Sequence, residues 1–350
     1  MIVDNEVKLD FCDVLIVPKS TNLSSRKDVN LNTHLEFSKA GFGIVDYIPV
    51  CASNMDGVGT LSMAAKLSKR KMSTCLTKSL THQILWGNRQ EFEKNTLTFG
   101  TLGMDDNSKS VLDECNLENY FSVICLDVAN GYMTQFADFV RKVRMKFPNI
   151  GIIAGNVVTP DGVEQISDAG ADIIKVGIGS GSVCTTRRVA GVGYPQLSTL
   201  LDCRPAADKC NVRLLSDGGC IHPGDVSKAI AAGADIVMLG GMLAGHDEGA
   251  DDAVVMDDGE RRRFIFSGSS SSRALKNNKN ESKHRTSEGR VVIMDAKGSV
   301  DSTLIHIEGG LRSTCTYTNS TNLSELKNNA RFIRVNRQLN DYFEHQTIGI

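Results

Sequence analysis

The chain lacks an excess of charge of either sign. Its 350 residues include 39 Lys and Arg against 41 Asp and Glu, which gives a formal net charge of −2. Because neutralising nucleic-acid phosphates requires a strong basic surplus, nucleic acid is excluded as the main partner. The hydrophobic fraction of 41% supplies enough apolar material for a sizeable core. Wholesale disorder is therefore not expected.

Long apolar runs and targeting signals are also missing. The longest nearly apolar run, from Ala229 to Gly241, contains Asp235 and is shorter than the roughly 20 residues that a helix needs to cross a bilayer. The first residues hold neither a basic patch nor the apolar core of a signal peptide, and the last residues carry no recognisable address. We therefore expect a cytoplasmic location and no membrane partner.

The cysteine patterns of metal sites and disulfide frameworks are absent as well. Ten cysteines are scattered through apolar segments, with no C-x-x-C pair and no Cys/His run at zinc spacing. In a cytosolic chain most of them are expected to be reduced thiols that pack as small hydrophobes. The open question is whether any one of the ten carries chemistry.

Short β-rich runs alternate with amphipathic segments along most of the chain. The pattern predicts strands at 43–51, 72–77, 97–102, 123–127, 151–154, 173–176, 213–216 and 236–239, and helices at 61–70, 109–117, 134–147, 160–169 and 225–232. This alternation predicts an α/β fold, a (β/α)8 TIM barrel. A doubly wound sheet is the competing interpretation, but no G-x-G-x-x-G follows an early strand.

The segment 246–297 differs in composition from the rest of the chain. It contains an acidic stretch, the serine-rich run Ser-Gly-Ser-Ser-Ser-Ser at 267–272 and an Asn/Lys/Ser tract. One interpretation is a solvated, mobile surface loop. Because the segment follows the last barrel strand, at the edge where barrels place their chemistry, a lid is the other. The predicted organisation is one barrel domain over residues 1–350, with a lid-like insertion at about 246–297 and a C-terminal segment at about 300–350.

The most specific local signal is a glycine-rich loop directly after the sixth predicted strand. It reads Gly177-Ile-Gly-Ser-Gly-Ser-Val-Cys-Thr-Thr-Arg187. Glycines at alternate positions give backbone freedom, so carbonyls can approach a cation or amides a phosphate. Most cysteines are inert packing residues. Cys184, however, lies at a barrel mouth beside two hydroxyls and a guanidinium, which favours a nucleophile.

Glycine pairs follow the last two predicted strands. Asp217-Gly-Gly219 comes after the seventh and Gly240-Gly241 after the eighth, the two loops in which barrels frequently bind phosphate. The pairs predict a phosphorylated ligand. Asp217 either meets ribose hydroxyls or forms an Asx-turn. Asp127, at the end of the fourth predicted strand, either caps the next helix or faces the catalytic edge of the barrel. Ordinary solvated surface charge is an alternative for Lys78 and Glu288.

Together these segments resemble the IMP dehydrogenase/GMP reductase family over roughly residues 7–337. The matching stretches are Phe11-Cys-Asp-Val-Leu-Ile-Val-Pro18, Ala52-Ser-Asn-Met55, Ile124-Cys-Leu-Asp-Val-Ala-Asn-Gly-Tyr132, Ala154-Gly-Asn-Val-Val158, Gly193-Tyr-Pro-Gln196, Ser216-Asp-Gly-Gly219, Met238-Leu-Gly-Gly-Met-Leu-Ala-Gly245, Ser287-Glu-Gly289 and Gly309-Gly-Leu-Arg-Ser-Thr-Cys-Thr-Tyr317, with the Cys184 loop. Cys184-Thr-Thr-Arg187 is similar to the reductase loop, where dehydrogenases usually carry Cys-Ile-Thr-Gln. Residues 100–125 leave no room for the tandem regulatory module common in dehydrogenases.

The resemblance implies an NADPH-dependent oxidoreductase of purine salvage that converts GMP to IMP and ammonia. Cys184 would attack the purine C2, while Thr186 and Glu288 would relay a proton to the leaving amine. The alternatives are an IMP dehydrogenase without its regulatory module, a non-catalytic purine-nucleotide-binding barrel and a flavin-binding barrel. The resemblance also implies a homotetramer in which a neighbouring subunit completes the cofactor site.

The resemblance assigns ligand contacts residue by residue. NADPH would meet Ser25, Arg26, Lys78, Asp127, Val128, Ala129, Ile178, Gly179, Ser269, His284, Arg285, Ser313, Thr314, Cys315 and Thr316. GMP or IMP would meet Asp217, Gly218, Gly219, Gly240, Gly241, Gly268, Ser270, Arg285, Ser287, Glu288 and Gly289. A monovalent cation, K⁺, would be held at Gly179, Gly181, Cys184 and Arg187.

Several positions depart from the family pattern. Ser180 replaces the usual Pro, Lys78 stands in Thr-Lys-Ser-Leu rather than His-Lys-His-Tyr, and His222 replaces a Cys or a small residue. Serines at 269–272 replace a Gly-Met-Ser-Ser pattern. Several of these changes lie at or beside the expected cofactor contacts, and none falls on the three predicted catalytic residues.

Overall fold

The computed structural model of the chain describes residues 3–87, 94–250, 254–257, 262–268 and 286–336. The strands are β1 (Val14–Ile16), β2 (Thr33–Phe37), β3 (Phe42–Tyr47), β4 (Val50–Ala52), β5 (Ser73–Cys75), β6 (Thr98–Leu102), β7 (Val123–Asp127), β8 (Gly151–Val157), β9 (Ile173–Val176), β10 (Arg213–Asp217), β11 (Ile236–Leu239), β12 (Val254–Asp257), β13 (Arg262–Ser267), β14 (Val291–Asp295) and β15 (Phe332–Arg334). The helices are α1 (Leu61–Lys69), α2 (Lys78–Leu85), α3 (Asp106–Glu114), α4 (Thr134–Lys146), α5 (Pro160–Asp168), α6 (Thr186–Val189), α7 (Gln196–Lys209), α8 (Pro223–Ala231), α9 (Asp301–Tyr317) and α10 (Leu323–Asn329).

Strands β4 to β11 form a closed parallel barrel in sequence order, and β11 pairs back onto β4. Every side chain of β8 is buried, and so are those of β4, β5, β6, β9 and β11. Parallel barrel strands are covered on both faces, by the barrel interior and by the outer helices, which explains their continuous apolar character. The predicted (β/α)8 barrel is confirmed. All eight strands end at the same mouth.

Most cysteines are packing residues, as expected. Cys51, Cys75 and Cys125 lie in the apolar cluster inside the barrel. Burial raises the pKa of Cys203 to about 12 and that of Cys315 to about 11, so both thiols stay protonated at neutral pH.

The strand predicted at 43–51 is two separate elements. Strand β3 pairs antiparallel with β2 as a hairpin, whereas β4 begins the barrel at Val50. Pro49 stands between them and has no N–H to donate to a ladder. Tyr47 and Phe37 from this hairpin are fully buried in the interior cluster, so the hairpin packs against the barrel core.

The predicted helices omit five that the structure describes: α2, α6, α7, α9 and α10. Helix α2 starts from Thr77, whose hydroxyl accepts a hydrogen bond from the Leu80 amide. Helix α7 contains Pro205 and buries polar residues. Among them, Gln196 donates to the Val176 carbonyl at 2.9 Å. Polar groups with hydrogen-bond partners can be buried in a core. On the buried face of α7 they interrupt the apolar periodicity by which a helix is predicted.

The described parts of the segment after β11 form a sheet rather than an irregular loop. Strands β12, β13 and β14 pair antiparallel, and Phe264 and Phe266 of β13 are buried. Most of the serine-rich run and of the Asn/Lys/Ser tract, residues 269–285, lies outside the described residues, so the lid stays a prediction. Further along, β15 pairs with β1, which joins the C-terminal segment to the N-terminal one. No helix among the described residues is long and apolar enough to cross a membrane.

Candidate active site

The Cys184 loop leaves β9 through glycines in a conformation that side chains disfavour. Gly177 has φ +148° and Gly179 φ +82°. A Cβ at Gly177 would overlap the carbonyl oxygen of Asp217, so this loop and the end of β10 touch backbone to backbone. The Cys184 amide then donates to the Gly181 carbonyl at 3.0 Å, which closes a turn before α6. The turn presents Cys184 at the barrel mouth.

Cys184, Thr186 and Glu288 form a hydrogen-bonded row. The Thr186 hydroxyl lies 3.2 Å from Cys184 Sγ and donates to Glu288 Oε2 at 2.7 Å. The backbone supports this row, because the Thr185 amide donates to the Glu288 carbonyl at 2.8 Å and Cys184 pairs antiparallel with Gly289. The structure thus brings together the three residues predicted to be catalytic, although Thr186 and Glu288 are 102 positions apart.

Arg290 holds the two halves of this row together, a role that the sequence pattern did not predict. Its guanidinium donates to the Ser182 carbonyl through Nε at 3.1 Å and Nη2 at 2.6 Å. Its amide donates to Val183 O at 2.9 Å. The only available signal was its place directly after Glu288-Gly289, which does not distinguish it from a surface arginine.

The predicted nucleotide-binding glycines crowd around the same loop. A Cβ at Gly241 would lie 2.6 Å from Ser182 Oγ, one at Gly218 2.9 Å from the Gly181 amide, and one at Gly268 3.1 Å from Gly289 Cα. These glycines bring the loops after β10 and β11 close to the Cys184 loop. Gly218 and Gly241 are partly exposed and carry no side chain, so their amides can approach a ligand closely. The cradle suits a phosphorylated nucleotide placed against Cys184.

A buried charge network lies at the ends of the neighbouring strands. Lys175 Nζ donates to Asp127 Oδ1 at 3.0 Å, to Asn156 Oδ1 at 3.1 Å and to Asp217 Oδ2. Asn156 Nδ2 also donates to Asp217 Oδ2 at 2.7 Å. Lys175 and Asn156 were missed, and the overlooked signal was a polar residue inside an otherwise apolar strand.

The network decides between the alternative positions predicted for Asp127 and for Lys78. Helix α4 begins at Thr134 with Met133 as its N-cap, so Asp127 is not its cap and faces the mouth instead. Burial alone would raise the pKa of Asp127, but the attraction of Lys175 and then of Lys78 lowers it to about 2. Lys78 is only partly solvated, since Nζ donates to the Asp127 carbonyl at 3.0 Å. Both predicted cofactor residues therefore lie side by side.

A second group of predicted cofactor residues lies in the outer layer. Ser25 caps a short helical turn at Arg26–Asp28, and this turn packs against α9. On α9 the Thr314 hydroxyl donates to Ser227 Oγ at 2.9 Å, and Cys315 is fully buried. Neither the thiol nor the backbone of Cys315 is therefore open to a ligand in this structure. Ser269, Ser270, His284 and Arg285 lie outside the described residues.

The predicted cation site consists of backbone oxygens. The Gly181 carbonyl accepts the Cys184 amide and keeps a second lone pair. The Arg187 guanidinium is a cation without an acceptor atom and is bound to Asp10 and to the Tyr194 carbonyl. Only the carbonyl of Arg187 can therefore be a ligand. The described ranges contain no cluster of three or more His, Cys, Asp or Glu side chains that could hold a metal. Neutral oxygens suit a hard cation.

The sequence of the chain matches a known protein family over most of its length. The family model described as IMP dehydrogenase / GMP reductase domain matches residues 8–340. A GMP reductase of Caenorhabditis elegans is 45% identical over 97% of this chain and 96% of its own length. GMP reductase 1 of Homo sapiens is 46% identical over 97% of this chain and 99% of its own length. The chain therefore belongs to the IMP dehydrogenase/GMP reductase family.

Proposed function

We propose that this chain is an oxidoreductase that reduces GMP with NADPH to IMP, ammonia and NADP⁺. The observation that carries the proposal is the row of Cys184, Thr186 and Glu288 beside a glycine cradle. A thiol next to a hydroxyl–carboxylate pair is suited to covalent addition followed by proton transfer. The relatives named GMP reductase, similar over nearly their whole length, support the choice of substrate.

The covalent step begins with the Cys184 thiolate. It adds to C2 of the purine and makes that carbon tetrahedral, so the exocyclic amine can leave once it is protonated. Departure of ammonia leaves a thioimidate between Cys184 and C2. Reduction at C2 then returns the electron pair of the C–S bond to sulfur, which releases IMP and the free thiolate.

Thr186 is placed to move the proton. Its hydroxyl donates to Glu288 while a lone pair faces Cys184 Sγ. When Thr186 passes its proton to Glu288, its oxygen can accept the thiol proton. Sulfur becomes a thiolate and Glu288 a carboxylic acid. The same acid can later protonate the leaving amine, so the thiol proton serves both steps, and a proton from water restores the thiol after IMP is released.

The residues at the mouth fit the nicotinamide cofactor that the family implies. When bound, NADPH supplies the hydride for C2, and the protein supplies orientation. Lys78, Asp127, Val128 and Ala129 form a partly open ledge beside the glycine cradle and would hold it there. A K⁺ ion on the carbonyls of the Cys184 loop, a homotetramer and a cytoplasmic location are further parts of the proposal that rest on the resemblance.

The test is an assay of purified protein with GMP and NADPH, followed through the loss of NADPH absorbance. We expect turnover that depends on both compounds and releases ammonia. Formation of NADH from IMP and NAD⁺, without GMP reduction, would identify a dehydrogenase instead. Tight binding of GMP without turnover under any cofactor would identify a non-catalytic nucleotide-binding barrel. A coloured protein with bound flavin would indicate the flavin-binding alternative.

A further inference from the structure

Lys175 is a buried cation in an apolar strand. Its neighbours on β9 are Ile173, Ile174 and Val176, and Lys175 itself is 3% exposed. Burying an ammonium is costly unless the charge is paired and hydrogen-bonded. All three of its donors are used, on Asp127, Asn156 and Asp217. Core packing alone does not call for a lysine here, since an apolar side chain would fill the same space without this cost.

Strand β8 approaches β9 closely at Lys175 and supplies one of its hydrogen-bond partners. Gly155 on β8 lies against it, and a Cβ there would come within 2.7 Å of Lys175 Cβ and overlap its carbonyl. Asn156 holds the next point of the network, because Nδ2 bonds the Gly177 carbonyl as well as Asp217. The ammonium is thereby fixed between β7 and β10.

We propose that Lys175 is a positioning residue that couples the cofactor side of the mouth to its nucleotide side. The inference rests on the proposed function, in which Asp127 meets NADPH and Asp217 meets the ribose of GMP. Both carboxylates bind the same ammonium. They therefore compete for one charge, and a change at either carboxylate alters how tightly the other is held. Such a shared partner makes the affinities of the two sites depend on each other.

The experiment is a double-mutant cycle on GMP binding, measured by calorimetry without NADPH. In the chain that retains Lys175, Asp127→Asn frees the ammonium for Asp217. We expect the dissociation constant of GMP to change by about fivefold or more. In the Lys175→Met background, where the link is removed, Asp127→Asn should change it by less than about twofold, as independent sites do.

Lys228→Met is the matched control. Lys228 is also a buried lysine, 6% exposed, and is paired with Asp225 on α8. In that background Asp127→Asn should keep its full effect on GMP. Equal effects of Asp127→Asn with and without Lys175 would overturn the coupling. If Lys175→Met fails to fold, the reciprocal measurement decides: Asp217→Asn must shift the dissociation constant of NADPH, and an unchanged constant overturns the inference.

The two proposals fail differently. If the unmodified chain neither binds GMP nor consumes NADPH, the proposed function is wrong. If it reduces GMP but shows no coupling through Lys175, only the inference is wrong.

Discussion

Replacing Thr186 with valine tests the proton relay most directly. Valine keeps the size and branching of threonine but removes the hydroxyl between Cys184 Sγ, 3.2 Å away, and Glu288 Oε2, 2.7 Å away. In the part of the chain that the structure describes, no other side chain then joins the thiol to the carboxylate. The backbone bond from the Thr185 amide to the Glu288 carbonyl does not involve the hydroxyl, so the two segments should stay paired.

The expected loss follows from the value of a positioned acid or base. General acid–base catalysis contributes roughly 10²- to 10⁴-fold, which corresponds to about 3–5 kcal/mol of transition-state free energy. We expect kcat of Thr186→Val to fall within that range. The dissociation constant of GMP should change by less than about threefold, because the hydroxyl is assigned to proton transfer rather than to binding.

The assay is steady-state NADPH oxidation at saturating GMP, with calorimetric titration of GMP on the same preparations. Thr186→Ser is the control, since it retains the hydroxyl and loses only a methyl group. It should turn over within about tenfold of the unmodified chain. The relay would be refuted if the valine and serine variants reduced GMP at similar rates.

Three further predictions concern the nucleophile, the loop and the charge network. Cys184→Ser should abolish turnover while calorimetry still detects GMP binding; residual turnover contradicts the nucleophile assignment. Gly177→Ala should lower the free energy of unfolding by about 2 kcal/mol or more, because a Cβ meets the Asp217 carbonyl at a φ of +148°; Gly224→Ala, where a Cβ meets nothing within 4 Å, should cost little in the same denaturant titration. Because Lys175 and Lys78 lower the pKa of Asp127 to about 2 despite its burial, its stabilisation of about 2 kcal/mol is complete above about pH 4 and lost as the pH falls towards 2. Unfolding free energies measured across this range should therefore fall less steeply for Asp127→Asn, and an unchanged slope would contradict the assignment.

Local patterns located the barrel but not every element of it. Buried parallel strands read as continuous apolar runs, which is why β7, β9 and β11 lie close to their predicted positions. The run at 43–51 contained two strands of different sheets, since apolar character does not reveal where a chain changes partner. Helix α7 was not predicted because its buried residues include Gln196, Ser198 and Thr199. The burial of these polar residues depends on partners from elsewhere in the chain.

The sequence by itself determined the fold class and which loops meet. Parallel strands that alternate with helices must end at one edge, so Cys184, Asp217 and Gly240 had to lie around a common mouth. Only the tertiary structure decided which atoms touch. Glu288 reaches Thr186 from 102 positions away, and Lys175 turns a buried strand residue into a bridge between Asp127 and Asp217. Such contacts depend on the path and register of distant segments, which short-range periodicity does not encode.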